Sequence, residues 1–93
     1  MVNDFSLPFN ECESEGFKYR VFETDVLLSE LKWHYDEKDR VIEVIKSNNW
    51  QFQLDNQLPY ELMPGDIISI KKHVYHRVIK GNDSLVIKFK ELN

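Results

Sequence analysis

The sequence predicts an all-β fold, one small barrel or sandwich of antiparallel strands, and three observations support this prediction. The 93-residue chain contains no alanine, the strongest helix former, whereas 13% of its residues are aromatic. About seven or eight short segments of strand-like composition follow one another along the chain. Turn signals separate them every eight to twelve residues or so, a spacing typical of all-β domains. A chain of this length forms one hydrophobic core.

The N-terminal part of the chain is the least regular, and we predict that residues 1–16 form an arm or an edge strand. Phe5 to Phe9 alternates apolar and other residues around a proline, a pattern that suits an edge strand. The acidic run Glu11 to Glu15 is interpreted as exposed linker. A disordered arm and a strand lent to a partner subunit both remain open. Residues 17–93 are predicted to form the single barrel domain.

The next segments differ in how clearly they predict a strand. Phe17 to Phe22 alternates two sets of residues and is predicted to be a half-buried strand. Thr24 to Leu31 suits a capped short helix or extended chain, and we favour extended chain that bends and continues as a strand over Leu31 to Tyr35.

The pattern is clearer in the second half of the chain. Val41 to Lys46 and Trp50 to Asp55 read as two strands, and Ser47 to Asn49 between them tolerates left-handed turn geometry. We therefore predict a hairpin with one face in the core. The further predicted strands, separated by turn signals, are Leu58 to Leu62, Ile67 to Ile70, His76 to Ile79 and Leu85 to Phe89.

Charge and composition exclude several classes of protein. The net charge is −4, with 16 acidic against 12 basic residues, which argues against a nucleic-acid partner. No apolar run approaches the ~18 residues needed to cross a bilayer, and no basic segment followed by an apolar one suggests a signal peptide. The single cysteine, Cys12, cannot form an intrachain disulfide. We expect a cytoplasmic protein with no membrane partner.

Three side chains are candidates for a metal site. Residues i and i+2 of a strand project from the same face, so His34 and Asp36 point the same way, and His76 opens a later strand. Two imidazoles and a carboxylate suit Fe(II), Mn(II), Zn or Ni and leave coordination positions open. The alternative is a polar cluster of these residues with Arg40, satisfied by hydrogen bonds.

The spacing around His76 resembles the second signature of the cupin superfamily, whose members are also called RmlC-like. That signature runs glycine, five residues, proline, one residue, glycine, two residues, histidine, three residues, asparagine. Gly65 and His76 match it at the right distance. Lys71, His73 and Lys80 stand where the family has the proline, the inner glycine and the asparagine.

The first cupin signature, histidine, one residue, histidine, three or four residues and glutamate, falls on His34, Asp36 and then Asp39 or Arg40. The resemblance covers about two thirds of the chain, and extends to small single-domain cupins of uncharacterised role in phage and bacterial genomes. It implies a jelly roll of the double-stranded β-helix type. It also implies that His34, Asp36 and His76 hold a divalent metal, with Asp39 as an additional ligand.

Three functions are compatible with these residues. The first is a metal-dependent cupin that binds a small polar or anionic molecule, as an enzyme or not, with Arg40 or Arg77 orienting the negative group. The second is a metal-free pocket that uses Arg40, Gln51 and Gln53 as hydrogen-bonding groups. The third is a structural or interaction module with a vestigial site. A homodimer is expected, because a barrel of this size often leaves an edge strand to be paired.

Overall fold

The computed structural model describes residues 9–14, 16–23 and 31–92, and every regular element within these ranges is a β-strand. The predictions for residues 5–8 and for the helix-or-strand segment 24–30 lie outside the described residues. No helix of the described chain could cross a bilayer. The strands are β1 (Phe9–Ser14), β2 (Phe17–Phe22), β3 (Asp39–Lys46), β4 (Gln51–Leu54), β5 (Tyr60–Glu61), β6 (Ile67–Ile70), β7 (His76–Ile79) and β8 (Leu85–Leu92).

The strands form two antiparallel sheets. The larger has the order β1-β2-β8-β3-β6, and the smaller has the order β5-β4-β7. After β3 the chain passes to the smaller sheet, returns for β6, and repeats this for β7 and β8. The prediction of an all-β antiparallel domain is confirmed, and three predicted strands, β2, β6 and β7, have the predicted bounds.

The predicted hairpin between β3 and β4 is wrong. β3 pairs with β6 and β8, whereas β4 pairs with β5 and β7. The chain does reverse where predicted, with Asn49 in the left-handed region at a φ of 63°. β6 and β8 already occupy both edges of β3. Trp50 instead holds the turn against the segment before β8, since its indole Nε1 donates to the carbonyl oxygens of Asn82 and Asp83 at 3.2 and 2.9 Å.

Two further predictions need correction. The predicted strand over Leu31 to Tyr35 reduces to one antiparallel bridge, His34 with His76, closed by backbone hydrogen bonds of 3.1 and 2.8 Å. The acidic segment predicted as linker contributes to β1, which pairs along its whole length with β2 at the edge of the larger sheet. Whether each segment forms a strand depends on the backbone segment it pairs with, and side-chain composition does not reveal that pairing.

The core lies between the two sheets. Its buried side chains are Phe22, Ile42, Val44, Trp50, Phe52, Leu62, Ile68, Ile70, Leu85, Ile87 and Phe89. The inward face of β2 is the one that carries Phe22, so Arg20 also points inward by strand alternation. Among the described residues, His76 is the one buried polar side chain.

Candidate metal centre and cavity

The structure brings the three predicted metal ligands together at one end of the barrel. The backbone bridge between His34 and His76 sets their rings 4.4 Å apart, centroid to centroid. Asp36 follows two residues after His34, and its Oδ2 lies 3.3 Å from Nε2 of His76. One ligand atom from each of the three residues lies within 4.8 Å of the others. This spacing suits coordination of a single cation.

Backbone carbonyl oxygens orient both histidine rings through Nδ1. Nδ1 of His34 lies 2.9 Å from the carbonyl oxygen of Lys32, and Nδ1 of His76 lies 2.8 Å from that of Val74. A carbonyl oxygen can only accept, so each Nδ1 carries the proton and donates it. In a neutral ring held this way the lone pair is on Nε2, which is the usual arrangement of a histidine that binds a metal.

Oδ2 of Asp36 is buried, and none of the described residues donates a hydrogen bond to it. It lies 3.3 Å from Nε2 of His76, so either a proton on that nitrogen or a cation between the two atoms would satisfy it. Burial raises the pKa of the Asp36 carboxyl, but His76 and the charge of Arg40 outweigh it, and the pKa lies below its ordinary value.

Arg40, at the position of the fourth cupin ligand, forms ion pairs instead. Its Nη2 lies 3.4 Å from Oδ1 of Asp36 and 3.3 Å from Oε2 of Glu91. Its buried Nε has no hydrogen-bond partner within the described chain. Lys18 donates to Oε1 of Glu91 at 3.1 Å, and this hydrogen bond, with the charge of Arg40, lowers the pKa of Glu91. A line of alternating charges therefore runs from Lys18 to the histidines.

Asp39, predicted as an additional ligand, does not join the three-residue group. Its Oδ1 accepts a hydrogen bond of 2.8 Å from the backbone N–H of Lys72, and its Oδ2 lies 3.9 Å from Nζ of Lys71. Asp39 therefore ties the start of β3 to the loop that follows β6. His73, in the same loop, is exposed as predicted and lies 3.0 Å from a carboxylate oxygen of Glu37.

A cavity of about 410 Å³ extends from the metal-ligand group into the barrel. This volume is within the range of small-molecule sites, about 300–1,000 Å³. Its lining residues are Arg20, Phe22, Leu31, Lys32, His34, Asp36, Arg40, Ile42, Val44, Phe52, Leu62, Ile68, Ile70, His76, Val78, Leu85, Ile87 and Phe89. Twelve of these eighteen are apolar, so the interior of the cavity is mostly hydrocarbon.

Of the four predicted ligand-binding residues, only Arg40 lines this cavity. Gln51, Gln53 and Arg77 alternate with inward-facing Phe52 and His76, which places them on the outer face of the smaller sheet. There Arg77 donates from Nε to Oε1 of Gln53 at 2.9 Å. Arg77 and Gln53 therefore form a hydrogen-bonded pair outside the cavity, and Gln51 lies on the same outer face.

Sequence reasoning missed several charged residues of the site, among them Arg20 and Glu91. Arg20 shares a strand face with Phe22, and that spacing was a usable signal once the buried face of β2 was known. Glu91 lies directly opposite Arg40 in the β3–β8 register, a pairing that depends on residues about fifty positions apart. Such a cross-strand pair cannot be read without the sheet order.

Comparison with known proteins identifies the fold. No protein-family model and no curated protein matches the chain. Among solved structures, an RmlC-like cupin with a double-stranded β-helix fold from Methanocaldococcus jannaschii is similar, with a TM-score of 0.66 and 17% identity over 89% of this chain and 77% of that one. KdgF from Halomonas sp. gives 0.66 and 18% identity over 98% and 86%. Fe(II) HppE in complex with substrate gives 0.64 and 14% identity over 90% and 52%.

The chain is therefore a small cupin in fold, built as a double-stranded β-helix. This confirms the fold predicted from the strand pattern and the cupin resemblance predicted from the spacing of Gly65 and His76. Identities below 20% in these three structures establish the fold alone. Function has to be argued from the residues of the site.

Proposed function

We propose that this protein is a metal-dependent cupin that holds one divalent transition metal between His34, Asp36 and His76 and binds a small molecule in the adjoining cavity. One observation carries the proposal: the buried Oδ2 of Asp36 has no described hydrogen-bond donor and lies 3.3 Å from Nε2 of His76, within a group of three ligand atoms. When His76 is neutral, a cation between these two atoms would satisfy both.

The donor set supports Fe(II), Mn(II), Zn or Ni. Two imidazole nitrogens and one carboxylate oxygen form the facial type of site, which leaves coordination positions open for a small molecule. When bound, such a metal supplies a Lewis acid that polarises an oxygen of that molecule. The structural similarity to an Fe(II)-containing cupin-fold protein is compatible with this choice. We assign no reaction.

A second candidate is a metal-free ligand-binding or interaction module. It is favoured by the ion pair between Arg40 and Asp36, since a guanidinium 3.4 Å from Oδ1 already neutralises part of the carboxylate charge. Under this hypothesis the three-residue group is a polar cluster that orders the mouth of the cavity. Metal content distinguishes the two candidates directly.

The test is metal content by mass spectrometry on protein purified without a histidine tag. We expect stoichiometric metal in the wild type and much less in His76→Ala, which removes one of three ligands. His73→Ala is the matched control, because His73 is exposed and bonded to Glu37 outside the group. Calorimetric titration of chelator-treated protein with Ni, Mn, Zn and Fe(II) completes the test. No bound metal and no heat in the wild type would contradict the proposal.

We further propose a cytoplasmic homodimer. β1 and β6 are the edges of the larger sheet, and edge strands carry unpaired backbone groups that a second subunit could pair. Ile67 on β6 is 63% exposed, which adds an apolar contact to that edge. Light scattering measures the mass in solution, and a mass of one chain at micromolar concentration would contradict the dimer.

A further inference from the structure

The cavity is large for so small a domain, and its walls are hydrocarbon. Protein interiors are close-packed and contain few voids larger than a water molecule, whereas this cavity measures about 410 Å³. Its walls come from both sheets, with Phe22, Ile42, Val44, Ile68, Ile70, Leu85, Ile87 and Phe89 from the larger and Phe52 and Val78 from the smaller. A water molecule against these walls finds few hydrogen-bond partners, so an apolar group would replace it favourably.

The cavity opens at the end that holds the metal-ligand group. Of its lining residues, Lys32 and His34 are the two that are exposed to solvent, and the others are buried or half-buried. Both lie in the segment that is bridged to His76. A molecule that enters here passes the imidazole of His34 first and reaches the apolar walls beyond it. The polar part of such a molecule would therefore lie at the mouth and its apolar part inside.

The charged lining residues that are not exposed, Arg20, Asp36 and Arg40, have partners within the protein. Arg40 is paired with both Asp36 and Glu91. The guanidinium carbons of Arg20 and Arg40 lie 4.5 and 4.8 Å from the ring centre of Phe89, which is buried. These contacts offset the cost of burying the charges. The part of the cavity beyond the mouth therefore offers a ligand mainly apolar surface.

We propose that the cavity binds a small amphiphilic molecule, with a hydrocarbon body against the apolar walls and a single polar head at the mouth beside His34 and Asp36. The inference rests on the ligand-binding part of the proposed function and does not require the metal. An apolar cavity of about 150 Å³ holds benzene, so 410 Å³ has room for roughly ten to fifteen non-hydrogen atoms. This ligand differs from the polar or anionic molecule expected from the sequence, because hydroxyl groups along its body would lose their hydrogen bonds against hydrocarbon.

The first experiment is calorimetric titration of the wild-type protein with butanol, hexanol and octanol, which differ only in the length of the hydrocarbon body. Each buried methylene contributes about fourfold to affinity. We therefore expect hexanol to bind roughly tenfold more tightly than butanol, and octanol roughly tenfold more tightly again. Titrations at two temperatures should give a negative heat-capacity change, which marks the burial of apolar surface.

Hexanetriol is the matched polar probe, because it has the carbon chain of hexanol and two more hydroxyl groups. It should bind at least about tenfold more weakly than hexanol, since those hydroxyls would lose their hydrogen bonds to water. No binding of octanol, an affinity that does not rise along the series, or a triol that binds as tightly as hexanol would each overturn the inference.

The second experiment fills the cavity from its wall. Val78 is half-buried and lines the cavity, so Val78→Phe places a ring where the hydrocarbon body would lie. We expect it to weaken octanol binding by about tenfold or more, the loss of two or more buried methylenes. Val86→Phe is the matched control, since Val86 is also half-buried but lies on the other face of β8 from the cavity-lining Leu85.

Unchanged octanol affinity in Val78→Phe, or an equal loss in Val86→Phe, would refute the assignment. Circular dichroism establishes that each variant is folded. If Val78→Phe does not fold, Ile42→Phe carries the same test from the wall formed by the larger sheet.

Both titrations are made on chelator-treated and on metal-supplemented protein, so that the two proposals can fail separately. Octanol binding without any metal binding would refute the metal site and support the hydrocarbon-lined site. Metal binding without octanol binding would do the reverse. Binding of hexanetriol without binding of octanol would support a small-molecule site but refute the apolar body inferred here.

Discussion

Replacing Phe89 with leucine tests whether the paired guanidinium groups stabilise the barrel as well as define its cavity. Phe89 is 1% exposed and lies within 5 Å of the guanidinium carbons of both Arg20 and Arg40. Leucine keeps an apolar side chain at the position but removes the aromatic face. The substitution therefore isolates the cation–ring contacts better than alanine, which would add a large void.

The expected loss of unfolding free energy is about 3 kcal/mol. The change of shape in a packed core contributes about 1 kcal/mol. Each cation–ring contact contributes about 1 kcal/mol at a partly desolvated site, and Phe89 has two. Since a domain of this size is stable by only about 5–15 kcal/mol, the variant should fold but unfold at clearly lower urea concentration.

Phe17→Leu is the matched control. Phe17 also has two cations near its ring, Lys88 at 4.4 Å and Lys90 at 5.7 Å, but on the solvent-facing side of the larger sheet. There the same contacts are screened by water, and we expect a loss of about 1 kcal/mol or less. Urea unfolding followed by circular dichroism measures both variants. A loss in Phe89→Leu no larger than that in Phe17→Leu would refute the reasoning.

Three further predictions concern stability. Gly81→Ala should destabilise by about 2 kcal/mol, measured by thermal unfolding, because the added Cβ would lie 2.3–2.5 Å from the backbone of residues 48–50. Trp50→Phe should lose about 1–2 kcal/mol with its two indole hydrogen bonds, and urea unfolding at neutral pH measures this. Glu91 has a lowered pKa, chiefly through the hydrogen bond from Lys18, so its ionised form stabilises the fold above the unfolded pKa of about 4.3. Acid titration should show the wild type losing this advantage over Glu91→Gln as the pH falls below about 5, and parallel curves would contradict the assignment.

The strands could be predicted from the sequence, but their pairing could not. β2, β6 and β7 have the predicted bounds, because the signal of each is a short local run of residues. The Ser47–Asn49 segment indicates that the chain reverses, and it does, with Asn49 in left-handed geometry. A reversal does not say which strand lies alongside. β3 is paired by strands far along the chain, so the hairpin prediction failed.

The proximity of His34, Asp36 and His76 could be predicted because it depends on spacing, whereas the cavity depends on which strand faces point inward. His34, Asp36 and His76 were predicted from a two-residue spacing and a family register, and the structure brings them together. β2 presents one face with Phe17 and Tyr19 and another with Arg20. Hydrophobic alternation alone would bury the aromatic face, but the face with Arg20 lies inward, where the ring of Phe89 offsets part of the cost of burying its charge.

Two buried groups of the site have no described hydrogen-bond partner, Oδ2 of Asp36 and Nε of Arg40. The Nε of Arg40 is enclosed by protein, so no ligand in the cavity reaches it. Oδ2 of Asp36 lies 3.3 Å from Nε2 of His76, and either a proton on that nitrogen or a cation between the two atoms satisfies it. A metal ion and a proton therefore compete for this position.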